Sequence, residues 1–296
     1  MKPTTTFDGS FLKNEDKFTD DFFKRFNLRP APEPLKLNDQ VTKNYLFPTF
    51  YGDVTCAQAI FMCPYERAEK IMLHPRIKPV KMTKGRALVA FSCYEYKNVM
   101  NVAPYNEIAM TIPIMVDPGF NPPVLPMVLP VFKNFGYYVF SMPVTSLENQ
   151  IRGVKIWGLP KVVQEIDLRE EGGDCVTTAM DESGAPYITL RVPMTGGAPT
   201  DFDVKSNLYS RRGNEFLQSE TNFKATFNVI KNMGLLFKKA AAPDREYLKI
   251  GDSAAARTLR ELEIEPSPFQ LRFAKHMNSC FDIPNPGFKS DAIKFD

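Results

Sequence analysis

Residues 145–168 have the sequence TSLENQIRGVKIWGLPKVVQEIDL and combine a predicted helix, a sharp turn and a strand. Thr145 and Glu148 have the spacing of a capping box, so a helix is predicted to run from about residue 146 to 157. Three apolar residues recur at helical spacing and are expected to form its buried face: Leu147, Ile151 and Val154. The stretch thus predicts a short amphipathic helix that leads directly into the turn.

The turn after this helix delivers Lys161 to the start of a strand. Gly158 can adopt the left-handed conformation that closes a helix, and Pro160 cannot continue one. Apolar and polar residues alternate over residues 162–168, and this period of two predicts a strand. Lys161 is therefore expected at a tight strand entry, close to Trp157 and other apolar residues that would exclude water.

Composition predicts a folded protein and excludes some classes of partner. The 296 residues are 44% hydrophobic, and the 37 basic and 34 acidic residues are interspersed. Nucleic acid binding is not expected, because the positive charge is not clustered. The segment MKPTTTFDGS at residues 1–10 lacks the apolar core of a signal peptide, and no apolar run is long enough to span a membrane. We therefore expect a cytoplasmic protein that makes no membrane contact.

Few residue types remain that could carry chemistry. The five cysteines show no CxxC pairing, which argues against a disulfide framework or a structural zinc site. His74 and His276 are the only histidines and leave little material for a multi-histidine metal site or a histidine-based triad. The sequence also lacks the glycine-rich motifs that bind nucleotide phosphates. We expect no metal and no cofactor, so chemistry must depend on lysine, carboxylate, tyrosine or serine.

The pattern along the chain indicates a meander of strands. Turns at Gly172-Gly173 and Ser183-Gly184 separate strand-like runs, and their spacing favours an antiparallel sheet or barrel. We divide the chain into an N-terminal arm (1–45), a central domain (46–250) and a C-terminal extension packed on that domain (251–296). Residues 265–296 are punctuated by prolines and are expected to lie at the periphery.

Two short motifs carry a resemblance to a known family. One is IWGLPK at residues 156–161, with a helix before it and a strand after it, and the other is PYNE at residues 104–107, which leads into an apolar strand. Together they resemble the acetoacetate decarboxylase family, in which a Gly-aromatic-Pro-Lys turn carries a Schiff-base lysine and a Tyr-x-Glu segment directs a glutamate into the active site. The resemblance spans about residues 50–240 and implies that the central domain is acetoacetate decarboxylase-like. It implies an α+β fold, mainly an antiparallel β-barrel or strongly curved sheet with flanking helices.

The same resemblance implies roles for particular residues. Lys161 would form an imine with a carbonyl substrate, and Glu107 would act as the acid or base, or orient the substrate. The chain is a divergent member, because Val162 stands where the family usually has a second lysine. Lys155 is a candidate to replace that cation, and Ser92 aligns with another buried acidic position of the family. The candidates for substrate binding or for tuning the lysine pKa are Lys155, Tyr105, Ser92, Trp157, Phe91 and Tyr138.

The expected function is that of a cofactor-free lyase. It would form a Schiff base between Lys161 and a keto acid or related carbonyl compound, followed by decarboxylation or by aldol or dehydration chemistry. The resemblance also implies a homo-oligomer. The alternative is a non-catalytic binding protein that retains the pocket for a small apolar ligand. A structural subunit would be favoured if Lys161 were fully exposed to solvent.

Overall fold

The computed structural model describes residues 1–7, 12–238, 242–289 and 293–295, and its regular structure is mostly β. The strands in these ranges are β1 (Arg29–Pro30), β2 (Leu35–Lys36), β3 (Thr42–Lys43), β4 (Leu46–Phe47), β5 (Thr49–Pro64), β6 (Ile77–Pro79), β7 (Arg86–Val99), β8 (Tyr105–Val116), β9 (Phe135–Val144), β10 (Lys161–Val163), β11 (Ile166–Glu171), β12 (Asp174–Met180), β13 (Pro186–Pro193), β14 (Ala198–Arg212), β15 (Glu215–Lys231), β16 (Leu248–Ile250) and β17 (Pro268–Phe281). The α-helices are α1 (Tyr65–Lys70), α2 (Leu147–Trp157) and α3 (Arg257–Glu261). Short 3-10 segments lie at Glu15–Lys17, Phe23–Arg25, Thr83–Gly85, Leu125–Met127, Met233–Leu236 and Ala254–Ala256. Across the described ranges, every helix falls short of the length and hydrophobicity that crossing a bilayer requires.

Seven of these strands close into a barrel. Their order is β9, β14, β15, β17, β5, β7 and β8, and β8 pairs again with β9 to complete the ring. Neighbouring strands are antiparallel, except that β9 and β14 are parallel. The structure therefore confirms the expected α+β fold, with a mainly antiparallel barrel and a few flanking helices.

The barrel strands contribute side chains to two separate cores, because successive residues of a strand point to opposite faces. The sheet-side core joins the barrel to a second sheet of strands β11, β12, β13 and β16, and it includes Phe91, Ile108 and Tyr138. The helix-side core packs against α2 and includes Tyr105. On β8, Glu107 lies two residues beyond Tyr105 and shares its face. The alternation of side chains along this strand thus separates Glu107 from the sheet-side core.

Helix α2 was predicted from about residue 146 to 157, and the structure confirms it with a different cap. Ser146, rather than Thr145, caps the helix, since its hydroxyl accepts a hydrogen bond from the Asn149 backbone N–H at 3.3 Å. The Thr145 hydroxyl instead accepts from the Asn106 backbone N–H at 2.9 Å and ties the helix to β8. Gly158 ends the helix in the left-handed conformation with φ of 62°, as predicted.

The buried face of α2 is the polar one, which corrects the predicted packing. Leu147 and Ile151 are only half-buried, and Val154 is 43% exposed. The buried residues of the helix are instead Glu148, Asn149, Arg152, Gly153 and Trp157. Burying charged groups costs free energy that an apolar face would not, so this face is a candidate for function.

Helix α2 connects two parallel strands on one side of the barrel. Residues 161–163 of β10 pair with residues 142–144 of β9, beyond the point where β14 pairs with Tyr137 and Tyr138. The single strand predicted over residues 162–168 is two strands in the structure. Strand β10 ends at Val163, and β11, which begins at Ile166, belongs to the second sheet. Lys161 therefore begins a strand of its own immediately after the turn.

The C-terminal region supplies a strand of the barrel, so the expectation that residues 265–296 are peripheral is wrong. Strand β17 lies between β15 and β5 and pairs with both. At the other end of the chain, Phe18, Phe22 and Phe23 pack against Phe50 of the barrel. The domain boundaries at residues 45 and 250 stay a prediction. Residues 8–11 of the arm, 239–241 of the central domain, and 290–292 and 296 of the extension lie outside the described residues.

Candidate active site

Lys161 and Glu107 form a buried ion pair. Lys161 Nζ donates a hydrogen bond to Glu107 Oε2 at 2.5 Å, and the two side chains are 7% and 6% exposed. Helix α2 sets the direction of the Lys161 side chain, because the aliphatic part of that side chain passes over Gly153 of the helix. A Cβ atom at Gly153 would lie 2.7 Å from Lys161 Cε, so only glycine leaves room for the lysine there. The amine is therefore aimed at the carboxylate and away from solvent.

The pair lies in the wall of a cavity of about 100 Å³. Aromatic and apolar side chains form most of the lining, among them Tyr51, Tyr94, Met142, Phe223, Met277 and Phe281. Asn149, Thr221 and Ser279 add neutral polar groups, and Lys161 and Glu107 are the charged residues of the lining. Within the described ranges, no three His, Cys, Asp or Glu side chains come together as metal ligands. The arrangement is a small, mostly apolar cavity with one amine and one carboxylate.

Two tyrosines flank the ion pair. The Tyr96 hydroxyl donates to Glu107 Oε1 at 3.3 Å, and the Tyr105 ring centroid lies 5.6 Å from Lys161 Nζ. Burial raises the pKa of both phenols well above the ordinary value, so both hydroxyls stay neutral. Tyr96 is therefore a hydrogen-bond donor to the carboxylate rather than a competing base.

The environment brings the Lys161 amine closer to its neutral form. Burial lowers the pKa of Lys161 below that of an ordinary lysine, and the charge and hydrogen bond of Glu107 oppose this effect. The positive charge of Arg152 lowers the Lys161 pKa further. A lysine amine is a nucleophile only when neutral, and here a carboxylate is within reach to take its proton. The site therefore has the chemistry of a nucleophilic lysine.

Arg152 is a residue that the sequence interpretation missed. Its side chain is 1% exposed, and it donates through Nη1 to Asn149 Oδ1 at 3.2 Å and through Nη2 to Thr49 Oγ1 at 3.0 Å. The apolar face predicted for the helix, Leu147, Ile151 and Val154, does not include residue 152. The sequence nevertheless contains an indication that Arg152 shares a helix face with Glu148, because the two residues are four positions apart.

Lys155 and Ser92 do not lie beside the Lys161 amine, which corrects the expectation that they bind substrate or tune the lysine pKa. Lys155 is exposed and its Nζ donates to the Lys36 carbonyl at 2.6 Å. Residue 155 is two positions, or about 200° of helical rotation, from Gly153, over which the Lys161 chain passes. Ser92 accepts a hydrogen bond from Gln58 Nε2 at 2.9 Å and is not part of the cavity lining.

The aromatic candidates divide between the two cores. Trp157 lines the cavity, and Tyr105 lies beside the amine as described above. Phe91 and Tyr138 belong to the sheet-side core instead. The pattern of apolar residues in the sequence could not predict which of the two cores each aromatic residue joins, because strands that are buried on both faces carry apolar residues on both.

Comparisons with known proteins identify the family and the fold. A sequence profile described as acetoacetate decarboxylase (ADC) matches residues 33–224. The fold is similar to an acetoacetate decarboxylase from Legionella pneumophila subsp. pneumophila str. Philadelphia 1, at 13% identity and a TM-score of 0.59, over 94% of this chain and 97% of that one. It is also similar to a second solved acetoacetate decarboxylase, at 14% identity and a TM-score of 0.52, over 80% of this chain and 87% of that one.

At these identities the structural likeness shows a shared fold. A search of curated proteins found no match. The family assignment therefore depends on the sequence profile, which covers well over half of the 296 residues and includes Glu107 and Lys161. The chain belongs to the acetoacetate decarboxylase family.

Proposed function

We propose that the protein is a cofactor-free lyase that forms a Schiff base between Lys161 and the carbonyl group of a keto acid or related compound. The observation that carries this proposal is the buried contact of 2.5 Å between Lys161 Nζ and Glu107 Oε2 in the wall of the cavity. A carboxylate in this position can accept the ammonium proton and free the amine for attack. Membership of the family supports lysine chemistry at this turn.

The reaction begins with addition of the neutral amine to the carbonyl carbon, which gives a carbinolamine. Glu107 transfers protons so that the former carbonyl oxygen leaves as water and a protonated imine remains. This imine draws electrons from a bond of the adjacent carbon. Loss of CO2 from that carbon gives decarboxylation, whereas cleavage of its bond to a carbinol carbon gives aldol chemistry. Loss of a proton from that carbon, followed by loss of a neighbouring hydroxyl as water, gives dehydration. Decarboxylation and aldol cleavage leave an enamine, which becomes an imine again when the carbon that lost its bond takes up a proton. Hydrolysis of the imine then releases Lys161.

The cavity supports a substrate with a small apolar part. Its volume of about 100 Å³ is of the same order as an engineered apolar cavity of about 150 Å³ that binds benzene. The rings of Tyr51, Tyr94 and Phe281 would contact a substituent of a few carbon atoms, and Thr221 and Ser279 offer neutral hydroxyl groups. We therefore favour a keto acid or ketone whose carbonyl carbon lies close to one apolar group.

Imine trapping tests the proposal. The protein is incubated with pyruvate, acetoacetate or 4-phenylbutan-2-one, reduced with borohydride, and analysed by peptide mass. We expect a reduced adduct on the Lys161 peptide with at least one compound, and none in Lys161→Arg. Lys155→Arg is the matched control and should retain the adduct. Binding of these compounds without any adduct would replace the lyase with the alternative, a non-catalytic binding protein.

A further inference from the structure

Five ionisable side chains are buried together around helix α2. Lys43 Nζ lies 3.3 Å from Glu148 Oε1, with side chains 6% and 10% exposed, and Lys161 pairs with Glu107 as described above. Arg152 is the fifth group, and no carboxylate oxygen of the described residues lies within 4.0 Å of it. We name these residues the buried charge cluster. It contains three bases and two acids.

Arg152 lies between the Lys43–Glu148 pair and the cavity. Its guanidinium carbon lies 4.3 Å from the ring centroid of Tyr45, and the Tyr45 hydroxyl donates to Glu148 Oε1 at 2.5 Å. On the other side, Arg152 donates to Asn149 and lies 5.8 Å from the ring centroid of Trp157, and both of these residues line the cavity. Arg152 therefore stands behind the cavity wall, outside the space for substrate, and its charge acts on Lys161 from there.

The charge of this cluster depends on one proton. With every group in its usual state, three cations and two carboxylates leave a net charge of +1. A net charge in a water-poor interior is costly, and an arginine does not lose its proton in proteins. Lys43 already has Glu148 as its partner. Release of one proton from Lys161 to solvent makes the cluster neutral, with the charge of Arg152 balancing that of Glu107, whereas transfer of that proton to Glu107 leaves the net charge at +1.

We propose that Arg152 is a positioning residue of the site, whose fixed positive charge favours the uncharged form of the Lys161 amine and so makes it more available for attack. This proposal deepens the lyase function and depends on it for its use in catalysis. The residue next to Lys161 carries no charge, since residue 162 is valine and is 45% exposed. The helix that precedes the turn supplies a positive charge through Arg152.

The field of Arg152 acts on other groups around the cavity as well. Burial raises the pKa of Tyr51 to about 12 and the pKa of Tyr105 well above its ordinary value, and the Arg152 charge opposes both shifts. The titratable groups around Lys161 are therefore Glu107, which favours its charged form, Arg152, which disfavours it, and tyrosines that stay neutral. These tyrosines are Tyr51, Tyr94, Tyr96 and Tyr105. Arg152 is the one cation among these groups of the described chain.

The test measures the charge of Lys161 without any carbonyl substrate. The pH dependence of Lys161 acetylation by acetic anhydride is followed by peptide mass in the parent chain, Arg152→Met, Arg152→Gln and Arg152→Lys. In the Met and Gln variants we expect the half-reaction pH to rise, with acetylation at pH 7 falling about tenfold, as one pKa unit corresponds to. Arg152→Lys retains the charge and should restore the parental profile. Lys155→Met removes a cation from the same helix at an exposed position and should leave the profile unchanged.

An unshifted profile in folded Arg152→Met and Arg152→Gln, checked by circular dichroism, would overturn the proposal. If neither variant folds, titration of the Lys161 Cε resonance by carbon NMR in the parent chain decides instead. A midpoint at or above about 10.4, the value of an ordinary lysine, would then overturn it. Failure of the lyase function has a different signature, because borohydride trapping would then fail while the acetylation profiles still shifted.

Discussion

Glu107 acts on Lys161 in two opposite directions. Its negative charge and its hydrogen bond raise the Lys161 pKa, which works against burial and Arg152. The same carboxylate is the group closest to the amine and can move protons during imine formation. A residue that both stabilises the charged lysine and removes its proton can be tested by substitutions that separate the two effects.

Glu107→Gln should make the amine neutral at a lower pH while slowing turnover. Loss of the carboxylate charge removes the main contribution that raises the Lys161 pKa, so the midpoint of the trapping rate against pH should fall. Turnover of any substrate should decrease by about 10²–10⁴-fold, because an amide cannot transfer the proton. Trapping with pyruvate and steady-state rates measure the two effects. An equal decrease in the trapping rate and in the turnover rate would instead show that Glu107 mainly positions the amine.

The ion pair should also be visible in stability. Lys161→Met leaves Glu107 buried without its partner, and removing one partner of a buried pair costs about 3–5 kcal/mol. Lys161→Met combined with Glu107→Leu removes both charges of the pair and should recover part of this loss, because the buried charge of Arg152 then no longer has Glu107 to balance it. Urea denaturation at pH 7 measures all three chains. A single variant as stable as the parent would mean that water reaches Glu107.

At the scale of elements, the helix and its turn could be predicted because their signals are local. Serine and threonine before the helix, glycine after it and proline in the turn set its limits within a residue or two. The buried face could not be predicted in the same way. Apolar periodicity favours Leu147, Ile151 and Val154, whereas Arg152 and Gly153 lie on the inside. Apolar packing therefore does not account for the face that is buried.

Gly153→Ala tests how helix α2 holds the lysine. The added Cβ would lie 2.7 Å from Lys161 Cε, so the lysine chain must shift, and we expect this shift to disturb the contact of its amine with Glu107. Because small displacements of reacting groups are costly, we expect trapping to fall by about 10²-fold. Val154→Ala, at the neighbouring position that is 43% exposed, is the control and should change nothing. Parental trapping by folded Gly153→Ala would show that the lysine reaches its partner by another route.

At the scale of the whole molecule, the barrel depends on pairings that join distant parts of the sequence. Strand β17 begins at residue 268 and pairs with β5, which begins at residue 49. Local patterns indicated strands and a meander, but they do not state which strands meet across such a separation. The prolines of residues 265–296 suggested a peripheral segment, although Pro268 stands at the first position of its strand, where proline is tolerated.

Removal of residues 264–296 should therefore prevent the chain from folding, rather than remove only a peripheral segment. Deleting β17 separates β15 from β5 and exposes the edges of two long strands, which favours aggregation. It also removes Met277, Ser279 and Phe281 from the cavity wall. We expect an insoluble or unfolded chain without trapping at Lys161, measured by solubility, circular dichroism and borohydride reduction. Co-expression of residues 264–296 as a separate chain should restore part of each signal, because the same strand can then pair from a second polypeptide. A soluble truncated chain that still traps pyruvate would contradict the role of β17 in both the barrel and the cavity.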